Sequence, residues 1–374
     1  MIVLDPITIT DTTFVSSTVP ENDYPAYSAT AVYGPGERVI SAHYVYQQLL
    51  GTARAATVSN GSPAVVTAVA NGLAADAPVK LTTTGTLPSP LVAGTTYYWK
   101  IATADTGNLS ATPGGANINT TTAGSGVHTL TSNSIGNAVS NATYWVLVGA
   151  TNRWKMFDNI NNTYTEQAES IEVVLTPLSV AQGLFLGGVE AASVRVQVMD
   201  GATSLYDVTL PMTRNTIGSS YYNWIFERIV RRDSEVLLDL PPVYDAQVKI
   251  TISNPGATAR CAMCALGATE ELGFTQYGVA RDIKDFSTEM FGVDGTSTTT
   301  LRGYSKGMSL DVKVDNADFD NLVSRLEQYR QRAVVWIADS GFKQTFVYGK
   351  YGSFKTVIED IVYSRCSLTI NGKI

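Results

Sequence analysis

The chain has 374 residues, 44% of them hydrophobic and only 16% charged, with a formal net charge of -7. That length exceeds one ordinary domain and calls for about two to four. The acidic balance excludes a basic footprint for nucleic acid, and three cysteines exclude a disulfide scaffold. With so few charges the surface has to be covered by Thr, Ser, Asn and Gly, a composition common in proteins that pack against copies of themselves.

Met1–Thr10 (MIVLDPITIT) has no basic leading region and no long apolar run, so it does not read as a secretory leader. No apolar run approaches the ~20 residues of a membrane helix. Up to about Gly51 the chain is rich in tyrosine, and this character resumes at about Asn137. Between them Thr52–Asn133 is almost free of charge and dense in Thr, Ala and Gly, as an inserted module would be. Loops accept such insertions cheaply when the two ends lie close. Gly94-Thr95 reads as a hairpin turn feeding Tyr97 and Trp99, and Pro113-Gly114-Gly115 as another turn.

Strand signals continue from there. Ile171–Thr176, Ser193–Val198, Ala246–Ile252 and Ser367–Ile370 are short runs of Val, Ile, Thr and Leu bounded by turn residues. In Ser193–Val198 the valines Val194, Val196 and Val198 alternate with Arg195 and Gln197, the pattern of a half-buried antiparallel strand. Arg231 and Arg232, beside Arg228, Glu227 and Asp233, read as a mixed-charge surface. One helix is predicted over Asp315–Arg332, with Phe319, Leu322, Val323, Leu326 and Tyr329 on one face. Asp315 or Asn316 would cap it, and Arg330 and Arg332 suit its C-terminal end. Val334–Ala338 then returns as a strand.

The fold class expected is therefore mainly β and multi-domain. Residues 1–51 plus 134–159 would form a small split aromatic domain, and residues 52–133 an inserted β-module. Residues 160–277 would form a jelly-roll-like β-sandwich, and residues 278–374 an α+β domain with one helix.

Several motifs resemble known families. Tyr24, Tyr27, the spacing Tyr33-x-x-Gly36-x-x-Val39, then Tyr44, Tyr46, Tyr144, Trp145 and Trp154 are similar to small carbohydrate-binding modules of the chitin-binding type. The string Gly149–Asp158 (GATNRWKMFD) resembles structural proteins of tailed bacteriophages. Ala74–Trp99 and Leu109–Thr129, with TTTGTLP, AGTTYY and LSATPGGA, resemble a small β-module of phage tail and fibre proteins. Leu240–Tyr244 (LPPVY) before a strong strand gives residues 160–277 a loose likeness to galactose-binding-like sandwiches. Tyr277-Gly278, Arg302–Met308, Asp315–Ala317, Ala333–Ile337, Phe346–Gly349 and Cys366–Ile374 resemble a C-terminal domain of phage tail proteins.

These resemblances imply a virion protein of the phage tail, near the baseplate or tail tip. Its partners would be other tail proteins and copies of itself in a symmetric homo-oligomer. Host-surface polysaccharide is a further candidate partner, with no nucleic acid and no membrane insertion. The carbohydrate-binding likeness marks Tyr33, Tyr44, Tyr46, Trp145 and Trp154 as glycan-stacking candidates, because aromatic faces stack on the C–H faces of sugars. The other use for the same rings is as the core of a tiny sheet domain, which needs large aromatics to bury enough area.

Catalysis is not expected, and neither a cofactor nor a metal is called for. His43 and His128 sit in different modules without metal-ligand spacing and read as ordinary strand residues. Cys261-Ala-Met-Cys264 would place its sulfurs on opposite sides of one strand, which suits neither redox nor zinc chemistry. Glu270-Glu271 and Glu359-Asp360 are carboxylate pairs of the kind a glycan-cleaving tail enzyme would need. That alternative lacks the long repeats such enzymes show.

Overall fold

The computed structural model describes residues 1–28, 31, 33, 36–49, 53–132, 139–142, 144–213, 231–242, 244–291, 293–294, 296–339, 341 and 345–373. Glu227, Arg228 and the expected boundaries at 51/52 and 133/134 lie outside them. The protein is mainly β, with one α-helix among the described residues. It divides into two compact units, Met1–Pro20 with Asn152–Ile374, and Glu21–Thr151.

The larger unit opens with β1 (Ile2–Pro6) and β2 (Phe14–Ser17). The smaller holds β3 (Arg38–Ser41), β4 (Tyr44–Gln48), β5 (Ala53–Val58), β6 (Val66–Thr67), β7 (Pro78–Thr83), β8 (Thr96–Ile101), β9 (Thr106–Ser110), β10 (His128–Thr131) and β11 (Trp145–Ala150). The larger unit resumes with β12 (Thr165–Leu175), β13 (Gly183–Gly187), β14 (Ser193–Asp200), β15 (Thr203–Pro211), β16 (Ser234–Leu237), β17 (Gln247–Cys261), β18 (Met263–Glu271) and β19 (Phe274–Thr275). Then come β20 (Ala280–Asp285), β21 (Thr288–Phe291), β22 (Ser297–Thr300), β23 (Tyr304–Asp315), α1 (Phe319–Gln328), β24 (Val334–Ile337), β25 (Phe346–Ile358) and β26 (Tyr363–Gly372).

In the smaller unit β5 to β10 close into a barrel in the order β10-β5-β6-β9-β8-β7, and β11-β4-β3 form a separate sheet. Closure removes free edges. The alternation of β7 (Val79, Leu81) and β10 (Leu130) points inward onto Trp99 and Leu109. Gly107 sits where any Cβ would collide with the Trp99 ring, so only glycine admits that side chain. All six barrel strands lie between β4 and β11 in the chain, and those two pair directly, Trp145 opposite Gln48 and Ala150 opposite Tyr44. Barrel and small sheet share one core, since Val39, Tyr144 and Trp145 cluster with Leu81 and Trp99.

In the larger unit a five-stranded sheet, β15-β14-β17-β12-β2, lies against part of a ten-stranded sheet, β16-β13-β18-β1-β24-β25-β26-β23-β19, with β20 also on β23. Val194, Val196, Val198, Ile250 and Ile252 of the first meet Leu184, Leu186, Cys264 and Leu266 of the second. The long sheet then carries a second core, where Leu310, Val312, Val334, Trp336 and Leu368 receive Leu322 and Leu326 of α1. The helix is shorter than predicted. Asp315 ends β23 and accepts the Ala317 N–H, and Asn316 ties to Asp360 and Ser364. Both candidate caps are thus spent on the preceding turn, and Asp318 occupies the N-cap.

The boundaries differ from the expected ones in two places. Residues 1–20 and 152–159, assigned by sequence to the aromatic module, belong to the larger unit. The division at 277/278 falls within one sheet. β1 is an interior strand, pairing antiparallel with β18 (Leu4 opposite Thr269) and with β24 (Leu4 opposite Val335). Gly267 lies so close to the Asp5 carbonyl that a Cβ there would collide with it.

The cysteine expectation also fails in its geometry. The chain leaves the five-stranded sheet at Cys261 and enters the ten-stranded sheet at Met263. A strand that switches sheets turns a corner, so Cys261 and Cys264 face the same core.

Candidate functional site

The five glycan-stacking candidates do not form one platform. Tyr33 and Trp145 meet edge to face at 5.3 Å, and Tyr27 completes the group, stacked on Tyr33 at 6.0 Å and edge-on to Trp145 at 5.9 Å. The Tyr33 hydroxyl accepts the Ser28 N–H at 2.7 Å. This is the geometry of packed rings. Trp145 is 2% exposed and has no face open to a sugar. Tyr46 is half-buried against the same cluster. Trp154 belongs to the larger unit, packed on Phe14 at 5.0 Å and on Phe157 at 5.8 Å, and is 8% exposed. Tyr44 alone of the five is well exposed, at 42%, on the sheet whose β11 also exposes Val146, Leu147 and Val148.

The titratable groups singled out in the sequence are used structurally. His43 is not a strand residue. With Ala42 it makes the two-residue turn of the β3–β4 hairpin, both at positive φ (47° and 68°). Positive φ at both central positions is what such a tight hairpin requires. His43 Nδ1 lies 2.9 Å from Glu21 Oε1, which also accepts the Thr151 hydroxyl at 2.9 Å. His128 is buried in β10 with Nδ1 2.8 Å from Thr83 Oγ1. Glu270 binds Arg325 at 2.9 Å and accepts the Tyr329 hydroxyl at 2.8 Å. Glu359 pairs with Arg365 at 3.0 Å. Asp360 accepts the N–H groups of Val362 and Tyr363, and those bonds hold its carboxyl below the usual range. Burial pushes the Cys261 thiol up to about 12 and the Cys366 thiol up to about 11, which suppresses the reactive thiolate. Among the described residues no cluster of three His, Cys, Asp or Glu is arranged to hold a metal.

What the larger unit presents instead is uncovered apolar surface, in two clusters besides single exposed side chains such as Phe274, Tyr277 and Tyr244. The first is an arm. β20 continues into β21 and β22 returns into β23, the Phe286 N–H bonding to the Gly303 carbonyl between them. Beyond the Asp285–Tyr304 pair, β21 and β22 bond only to each other among the described strands. At ~3.3 Å per residue this ribbon is roughly 25 Å long. Every residue of β21 and β22 is exposed, and Met290, Phe291, Val293 and Leu301 project large apolar side chains.

At the arm's base, alternate residues of β20 (Arg281, Ile283, Asp285) and of β23 (Tyr304, Lys306) share one face. With Leu301, Arg302 and Asp233 they line a groove of ≈ 670 Å³. Lys306 Nζ reaches Asp233 at 2.6 Å across it. The second place is the turn from β25 to β26, where Ile358, Ile361 and Val362 are exposed, Ile361 at 96%.

Alternation along the strands made the core legible but gave no sign of the arm. Ser297–Thr300 reads as a polar connection, and whether Phe291 is covered depends on what lies opposite it. No protein-family model matches the chain, and no curated protein matches it.

Proposed function

We propose that this protein is a non-enzymatic structural component of a bacteriophage tail, built into a symmetric assembly in the baseplate or tail-tip region. The observation that carries the assembly part is the arm. A two-stranded ribbon is marginal in water by itself, and one that exposes Met290, Phe291, Val293 and Leu301 gains from a neighbour that covers them. The scarcity of surface charge supports the same reading. The phage tail part rests on the motif resemblances at Gly149–Asp158, Ala74–Trp99 and Arg302–Met308. Its partners in this reading are copies of itself and other tail proteins, and its place is the virion.

Size-exclusion chromatography with light scattering tests it. A defined species larger than the monomer is expected, and Phe291→Ser should shift it toward monomer without lowering the melting temperature. A protein that stays monomeric at every concentration, alone and with tail fractions, removes the assembly reading.

A second reading, reversible adsorption to cell-surface polysaccharide, is favoured by the exposed Tyr44, on the sheet whose β11 also exposes Leu147. Single sites of this kind are weak and gain from many copies on one particle. Glycan-array binding that is lost in Tyr44→Ala would establish it.

A further inference from the structure

The apolar surface of the arm lies on both of its faces. Successive residues of a strand point to opposite sides, and residues paired across an antiparallel ribbon share a side. Met290, opposite Thr298, and Thr288, opposite Thr300, therefore make one face. Phe291, opposite Ser297, and Glu289, opposite Thr299, make the other. Met290 is 71% exposed and Phe291 74%, so each face carries an open apolar side chain. Two strands occupy a strip about 10 Å wide, and over roughly 25 Å each face comes to about 250 Å². A two-fold partner would set like face on like face. It would bury about 500 Å² in all, short of the ~1,000 Å² of a specific interface, and would leave the other face in water. On the Phe291 side it would also bring Glu289 toward Glu289 of the other copy. Contact between unlike faces avoids both faults. Met290 of one arm then meets Phe291 of the next, a thioether on an aromatic ring. Glu289 meets the hydroxyls of Thr298 and Thr300, which are hydrogen-bond donors.

We propose that each arm is sandwiched between the arms of two further copies of this chain, its Met290 face on one and its Phe291 face on the other, in a closed ring of three or more. This rests on the assembly reading above and specifies its contact. A two-fold axis relates like surfaces, so unlike-face contact starts at order three. Three such contacts, at ~500 Å² each, reach about 1,500 Å², the size of a standard interface. The ring follows from the bulk behind the arm. Packed faces lie about 10 Å apart, whereas a unit the size of the larger one is roughly 40 Å across. Successive copies must therefore turn about a common axis for those units to clear one another, and turning closes the ring.

Substitution on each face, with cysteine pairing between them, tests it on the full chain. Met290→Asp and Phe291→Ser should each raise the dissociation constant of the assembly at least ~10-fold with the melting temperature unchanged, although they stand on opposite faces. Light scattering should give the wild-type assembly one fixed mass of three or more copies. Thr298 and Thr299 are exposed on opposite faces, so Thr298→Cys and Thr299→Cys should fold normally, and native Cys261, Cys264 and Cys366 are buried. Mild oxidation of the two variants mixed should give a cross-linked dimer, and each variant by itself only monomer. Four results overturn the inference and leave the assembly reading standing. The wild type assembles but one of the two face substitutions leaves it intact, so at most one face is covered. Its mass is that of a dimer, or grows with concentration without limit. The mixture cross-links no better than either variant by itself. A single variant cross-links to itself as well as the mixture does, so like faces meet. A wild-type protein that is monomeric throughout, with no cross-link in the mixture, removes both.

Discussion

The barrel of the smaller unit and the arm of the larger one are both antiparallel strands with apolar residues, and they end in opposite conditions. In the barrel each strand has two neighbours, so Trp99, Leu81 and Leu130 turn inward onto one another. In the arm β21 has β22 and nothing else among the described strands, so Met290 and Phe291 stay in water. Apolar content therefore does not decide burial. What covers a strand's face does: the barrel strands turn Trp99 and Leu81 onto an enclosed core, whereas the exposed β21–β22 ribbon leaves Met290 and Phe291 open to another molecule.

Substitutions should separate the two conditions. Trp99→Ala empties the barrel centre and should cost about 3–5 kcal/mol, read as a lower urea midpoint by tryptophan fluorescence and circular dichroism. Leu4→Ala, on an interior strand of the ten-stranded sheet, should cost about 2–5 kcal/mol. Because Leu4 is paired on both sides, the β18 half and the β24 half should loosen together, which amide hydrogen exchange can follow. Trp154→Ala belongs with these. It should destabilise the larger unit by about 3 kcal/mol, as a core ring does and a sugar platform does not.

Alkaline pH should act next. Burial and then the nearby Asp158 charge push the Tyr348 phenol up to about 12, and burial and then the Asp239 hydrogen bond do the same for Tyr206. The folded protein holds these protons more tightly than the unfolded chain, whose tyrosines ionise near ~10. Their contribution is thus complete below about pH 10 and is lost as pH climbs toward 12. Denaturation midpoints measured across that window should fall, and less steeply in Tyr348→Phe. Smallest of all, Phe291→Ser should leave unfolding within about 0.5 kcal/mol of wild type. A large loss there would mean that the arm packs on its own chain, and the contrast with the barrel would collapse.

Much of the fold was readable from period alone. Val194, Val196 and Val198 face the core as their alternation requires, and Leu322 and Leu326 of the helix do too. Other features were not, for physical reasons. Asn254-Pro255-Gly256 carries the marks of a turn, and in β17 it forms a bulge, Ser253 pairing with Ser170 and Thr258 with Ala168, so the strand resumes beyond it; Gly256, at φ 75°, bonds through its N–H to the Glu169 carboxylate, a long-range contact that local sequence does not show. The sheet switch at Ala262 has no local signal, so the cysteine geometry went wrong. Trp154 follows β11 closely in sequence, but Phe14, far away in the chain, provides its contact. Of the candidate site, the aromatic residues were found and their exposure was not, since a ring's open face is set by partners that sequence order conceals.

The place of β1 has a consequence for biosynthesis. Leu4 is synthesised long before its partners Thr269 and Val335. At ~5–20 residues per second the strand waits for tens of seconds. Meanwhile Glu21–Thr151, whose barrel strands pair within one short stretch of chain, can fold. The nascent chain therefore carries a finished small unit beside an unmatched strand. Truncation anywhere before β24 leaves that strand with an open side, a ready target for chaperones or for misassembly with another nascent copy.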